Sequence, residues 1–178
     1  MIKTTKTLLL GVMLMLILSA CGATYLTYQS EAYSLEYPSS WKKFDNADGS
    51  LRDLDLVLML LEKDNEVLAS FSVLADTDVV QTDELETYIR NDIEPFANTT
   101  GYEKLKLEKF QVSGLKTFLH SFKAFDNDSQ QKQFLQTYIP SSDRLYVLTA
   151  SLPVEAESAL LADVKRIMRS FQLQEESV

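Results

Sequence analysis

Residues able to do chemistry are sparse in this 178-residue chain, and two of the most reactive, Cys21 and His120, occur once each. His120 lies between Phe118 and Phe122 at alternating positions, so on a strand the three side chains share one face. A histidine can serve as a general base, but it then needs a nucleophile or an orienting carboxylate beside it, and the sequence marks neither. A metal there would have to recruit carboxylates, because no second histidine exists. The expectation is a partly buried, hydrogen-bonded core histidine. Asp126-Asn127-Asp128 and Asp45-Asn46-Ala47-Asp48-Gly49 carry the oxygens of a calcium loop without its alternating ligands or closing bidentate Glu, so they read as turns. Trp41 and the eight tyrosines could line a ligand site, yet such residues more often fill a core and half-buried sheet positions. With only five glycines, the chain has no phosphate-cradling Gly-rich loop and no Gly-x-Ser-x-Gly elbow. No catalytic residue, metal site or cofactor is expected.

Cys21 is different. Lys3 and Lys6 form a positive start, and Leu8 to Leu18 an apolar run of about 11 residues, within the roughly 7–15 of an export signal. The run Leu18-Ser19-Ala20-Cys21 then resembles a bacterial lipobox. That resemblance implies cleavage between Ala20 and Cys21, with diacylglycerol on the sulfur and usually a third acyl chain, commonly palmitate, on the new N-terminus. A retained transmembrane helix is the competing reading, since no charge lies between Lys6 and Glu31; however, the strongly apolar part stops near Ala23, short of the roughly 20 residues that cross a bilayer. Lipidation also accounts for a lone thiol in an exported chain, which can form no internal disulfide, and several acyl chains anchor stably where one does not. The covalent lipid on Cys21 is the only attached group implied. A Gly at position 22, where the motif's inner-membrane retention signal would be Asp, favours the outer membrane in a Gram-negative cell; in a Gram-positive cell the protein would sit on the outer face of the plasma membrane.

The expected organisation is a signal peptide over residues 1–20, a lipidated N-terminus and tether over 21–32, one domain over 33–174 and a tail over 175–178. The roughly 158 residues left after cleavage suit a single domain with a real core. Net charge is −9, and loss of Lys3 and Lys6 with the leader leaves 15 basic against 26 acidic residues, a net of −11. Such a chain is repelled by nucleic acid and by anionic headgroups, so the lipid alone provides the membrane contact.

The elements read as strands interrupted once by a helix and closed by another. Strands are expected at Tyr33–Tyr37, Leu54–Leu61, Val67–Ala75, Tyr102–Val112, Leu115–Phe125, Gln131–Ile139 and Arg144–Ser151, with Pro38-Ser39-Ser40-Trp41 turning the chain after the first. Apolar residues on both faces of Leu54–Leu61 predict a strand covered on both sides. Thr82 is expected to cap a helix with the stripe Leu85, Ile89, Ile93 and Phe96, stopped near Glu94 by Pro95. Pro153 is expected to open the last helix, where Leu160, Val164, Ile167, Met168 and Phe171 recur at helical spacing, with acids early and bases late as the macrodipole favours.

Tyr33-Ser34-Leu35-Glu36-Tyr37-Pro38-Ser39-Ser40-Trp41, Gly114-Leu115-Lys116, Arg144-Leu145-Tyr146-Val147-Leu148-Thr149-Ala150 and the closing Arg169-Ser170-Phe171 occur in the order of the PsbP-like family, which the chain resembles over nearly its whole mature length. The resemblance implies an α+β fold, a three-layer α-β-α sandwich about a central, mainly antiparallel sheet. It covers extrinsic photosystem subunits, a Ran-binding import factor and bacterial lipoproteins without assigned activity; their shared theme is docking to a larger partner, and fold likeness alone does not assign function. The reading that follows is a membrane-anchored, non-enzymatic docking lipoprotein with an envelope protein partner. The alternatives are a small-ligand or ion-binding lipoprotein and, third, an envelope hydrolase using His120. Docking predicts a hydrophobic exposed patch without a deep cavity, and ligand binding predicts a concave pocket with a few converging polar groups.

Overall fold

A computed structural model describes residues 24–44, 54–62, 64–126 and 128–174. Cys21, the cleavage point after Ala20, the Asp45–Gly49 segment and the tail 175–178 lie outside the described residues. The chain runs β1 (Tyr25–Gln29), β2 (Tyr33–Pro38), β3 (Trp41–Phe44), β4 (Leu54–Leu61), β5 (Val67–Asp76) and α1 (Leu85–Ile93). A 3-10 turn (Glu94–Asn98) leads to β6 (Glu103–Val112), β7 (Leu115–Phe125), β8 (Gln131–Pro140), β9 (Leu145–Pro153), α2 (Ser158–Ser170) and the short β10 (Gln172–Leu173).

Seven strands form one sheet in the order β3-β4-β5-β9-β8-β7-β6, every neighbouring pair antiparallel. Alternation assigns its side chains to two faces. On one face, Leu58, Phe71, Leu148, Leu135 and Leu119 meet Val164, Ile167 and Met168 of α2 together with Tyr33 and Leu35 of a second, three-stranded sheet, β1-β2-β10. On the other, Tyr138, Leu145 and Val147 meet Leu85, Ile89 and Ile93 of α1. The fold is a mainly antiparallel sheet with two helices. It departs from a simple α-β-α sandwich, because one outer layer is shared between α2 and the small sheet.

Several expectations need correction. The segment assigned to the tether contains β1, whose Tyr25 to Gln29 pair with Pro38 to Ser34, so the ordered domain begins before residue 33. Its Tyr-Leu-Thr-Tyr core is β-forming, and the Tyr25 hydroxyl reaches Asp163 while Arg166 stacks over the Tyr25 ring at 3.6 Å. Thr82 does not cap α1: residues 82–84 form a turn, and the helix starts after Glu84 without a side-chain cap. Phe96 leaves the stripe and is 54% exposed, because Pro95 stops the α-helix and the chain tightens into the 3-10 turn. Pro153 ends β9 instead of opening a helix. There it pairs only with Lys132 of β8, beyond the last β5 partner at Ser70–Ser151, so its missing N–H costs no ladder bond. Helix α2 begins at Ser158.

Candidate functional site

The hairpin joining β6 and β7 turns at Ser113 and Gly114, both at positive φ (45° and 87°), the two-residue geometry whose twist matches its strands. Its register sets Lys109 opposite Phe118 and Gln111 opposite Lys116. These four therefore share the sheet face that α1 covers. The hairpin is fastened from behind: the Ser113 hydroxyl donates to the Phe171 carbonyl, and the Arg169 guanidinium lies 5.0 Å from the Phe110 ring. Between this hairpin and the residues entering α1 runs an open groove of about 990 Å³. Lys109, Lys116 and Arg169 give it a cationic wall, and Asp83 and Glu86 an anionic one. Glu86 is held along the helix by Arg90 at 2.6 Å, whereas Lys109 and Lys116 make no ion pair among the described residues.

The groove lies on a boundary in the charge pattern. Residues 53–94, which supply β4, β5 and α1, carry 12 acids and 2 bases, whereas residues 104–132, in β6 to β8, carry 6 bases and 3 acids. Lys165, Arg166 and Arg169 of α2 add to the basic side, where Lys165 and Lys106 both engage Glu108 and hold its carboxyl below the usual range. The net charge of −9 is thus divided into two poles, a distribution that composition alone cannot show.

His120 is a sealed core residue, as its position between two phenylalanines predicts. It is 2% exposed, its Nε2 lies 3.1 Å from the Tyr102 hydroxyl, and its ring stacks on Phe122 at 4.6 Å, which stacks in turn on Phe134 at 5.2 Å. Nδ1 is buried without a partner among the described residues. A proton there would find no acceptor, and burial, followed by the nearby Lys104 cation, brings the pKa down to about 4. A neutral imidazole closed off in this way cannot reach a substrate, which removes the geometric basis for the hydrolase reading.

Asp126 behaves as turn chemistry: its Oδ1 accepts from the backbone N–H groups of Asp128 and Gln130. Trp41 is 2% exposed in the larger core. No group of three or more potential metal-ligating side chains occurs among the described residues. No described helix is long and apolar enough to cross a membrane. The sequence reading missed the groove, although Gly114 after Ser113 already marks the hairpin that sets two lysines beside one another.

No protein-family model and no curated protein matches the chain. Solved structures do match. The cyanobacterial PsbP protein of Synechocystis sp. PCC 6803 superposes with a TM-score of 0.58 at 17% identity, over 88% of this chain and 99% of that one. A Pseudomonas aeruginosa protein of unknown function follows at 0.57 and 16%, over 85% and 98%. The Saccharomyces cerevisiae Ran-binding protein Mog1p gives 0.52 and 15%, over 85% and 96%. At these identities the likeness is one of fold, and the fold is PsbP/Mog1-like.

Proposed function

We propose that this protein is a lipid-anchored, non-enzymatic docking module of the bacterial cell envelope, held by acyl chains on Cys21 and binding an envelope protein through the groove between the α1 entry and the β6–β7 hairpin. The observation that carries the docking part is the juxtaposition, across one open groove, of Lys109 and Lys116 with Asp83 and Glu86. Facing walls of opposite charge recognise a polypeptide surface that carries both signs in the complementary order, and opposing patterns of this kind steer encounter and reject wrong partners. The fold supports the reading, since Mog1p, which shares it, is a Ran-binding protein. The lipid anchor rests on the sequence, through Leu18-Ser19-Ala20-Cys21 and the basic and apolar segment ahead of it.

A second reading, small-ligand binding, draws on the same groove, where Gln81, Thr82 and Gln111 supply neutral hydrogen-bonding groups. The deciding experiment is capture from detergent-solubilised envelope at low and high ionic strength, with a thermal-shift screen of metals and metabolites alongside. Docking predicts one membrane protein captured at low salt, and its loss both at high salt and on Lys109→Glu with Lys116→Glu. Absence of capture, together with a concentration-dependent rise in melting temperature for one compound, transfers the function to ligand binding.

A further inference from the structure

We infer that the anchored domain stands on the bilayer by one end of its sheet and presents the charged groove at the other, about 30 Å into the aqueous phase. This rests on the lipid-anchor reading of Cys21 and adds to it an orientation.

Only Gly22 and Ala23 separate Cys21 from Thr24, the first described residue. Three residue steps reach at most about 11 Å. Thr24 is tied into the fold at once, since its carbonyl accepts from the Ser39 backbone N–H at 2.8 Å and Tyr25 pairs with Pro38. The anchor therefore leads to the turn between β2 and β3. Register follows that end across the sheet. Trp41 pairs with Leu60, and the next turn, closed by Glu62 N–H to the Glu66 carbonyl, lies beside it. Ser70 pairs with Ser151, and Pro153 with Lys132, so the loop into α2 and the turn at Asp126 lie at this end as well. The groove belongs to the opposite end, beside the Ser113-Gly114 turn, because β6 runs ten residues from Glu103 to Val112. Ten residues of strand span about 33 Å.

Charge argues that the short connection, not attraction, sets the orientation. The anchored end exposes Glu62, Asp64, Glu66, Glu155 and Glu157 against Lys42 and Lys104, an acidic balance that gives it no net attraction to anionic headgroups. A tether of this reach still leaves the far end well outside the headgroup layer. The partner that fills the groove is accordingly an extramembrane polypeptide segment projecting about 30 Å from the lipid surface, and not a bilayer-embedded one.

The test uses the full lipidated protein reconstituted into phosphatidylcholine vesicles that contain a headgroup spin-labelled lipid. Acylated Cys21 leaves no native thiol, so Asp64→Cys and Ser142→Cys each take a fluorophore at one position, at the near and far ends respectively; Glu155→Cys is a second near-end site should Asp64→Cys disturb its turn. The orientation predicts several-fold stronger quenching at the near sites than at 142. Equal quenching at the two ends, in protein that floats with the vesicles, overturns the orientation and leaves the anchor intact. Protein that fails to float overturns the anchor and the orientation with it.

Discussion

Acidification should destabilise this domain through His120 before its carboxylates dominate. The folded-state pKa of about 4 lies below the ordinary 6.5 because the imidazole is buried among Tyr102, Phe122 and the β6 and β8 strands, with Lys104 the nearby cation. Between those two values the unfolded chain binds a proton that the folded chain does not. Stability is then complete above pH 6.5, falls as pH drops toward 4, and changes no further from this group below it. At 1.36 kcal/mol per unit, the whole window corresponds to about 3 kcal/mol, a large fraction of the 5–15 kcal/mol typical of a domain. Asp55, whose carboxyl is raised by burial against the opposing pull of Arg144, titrates with the opposite sign, and Glu108 loses its lysine pairing at lower pH. The comparison that isolates the histidine is therefore urea unfolding of wild type and His120→Gln at several pH values from 7.5 to 4. The variant starts less stable but should lose about 3 kcal/mol less over that range. Parallel pH profiles would refute the burial argument and place the ring in contact with water.

Three further outcomes follow from packing and processing. Ile167→Asp puts an unpaired charge among fully buried side chains beneath α2 and should cost at least about 3 kcal/mol, whereas exposed Glu155→Ala should stay within about 0.5, both read by denaturant midpoint. Gly101 and Gly114 both hold positive φ, but a Cβ at Gly101 would lie 2.3 Å from the Phe125 ring while one at Gly114 meets nothing within 4 Å. Gly101→Ala should therefore be the more damaging by about 1 kcal/mol, and adding Phe125→Ala to both backgrounds should shrink the difference; equal costs would mean that backbone strain alone is felt. Cys21→Ser should leave a full-length precursor that takes up no labelled fatty acid, and normal processing with membrane retention would contradict the lipid anchor.

Strong alternation made most of the large sheet legible in advance. The limits of β4 and β7 agree with the sequence reading, and the α2 stripe through Val164, Ile167 and Met168 is buried as its spacing requires. What escaped were elements whose stability is borrowed from elsewhere. Strand β3 has only four residues, three of them exposed, and exists because Trp41 is buried and β4 offers a ladder; β10 has two residues held against β2. β1 looked like a tether because its short β-forming core sits between the small residues Gly22 and Ala23 and the polar Gln29-Ser30-Glu31, and pairing with β2 identifies it. The groove was hidden for a related reason. Lys109 and Lys116 are near in sequence, but the acids that face them come from the α1 entry, and no local pattern reports a juxtaposition created by helix packing across a sheet.

The proposed docking of a protein partner is assigned to the groove between the α1 entry and the β6–β7 hairpin. Its most direct test is a photo-crosslinking residue in place of Gln111 in the full lipidated protein, expressed in a cell that makes the partner. Docking predicts one discrete adduct in the membrane fraction, absent when the crosslinker replaces exposed Asp64 at the opposite end of the sheet and abolished when Lys109→Glu and Lys116→Glu are added. An adduct equally strong from both positions, or one indifferent to the charge reversal, would contradict the claim that this groove is the docking surface.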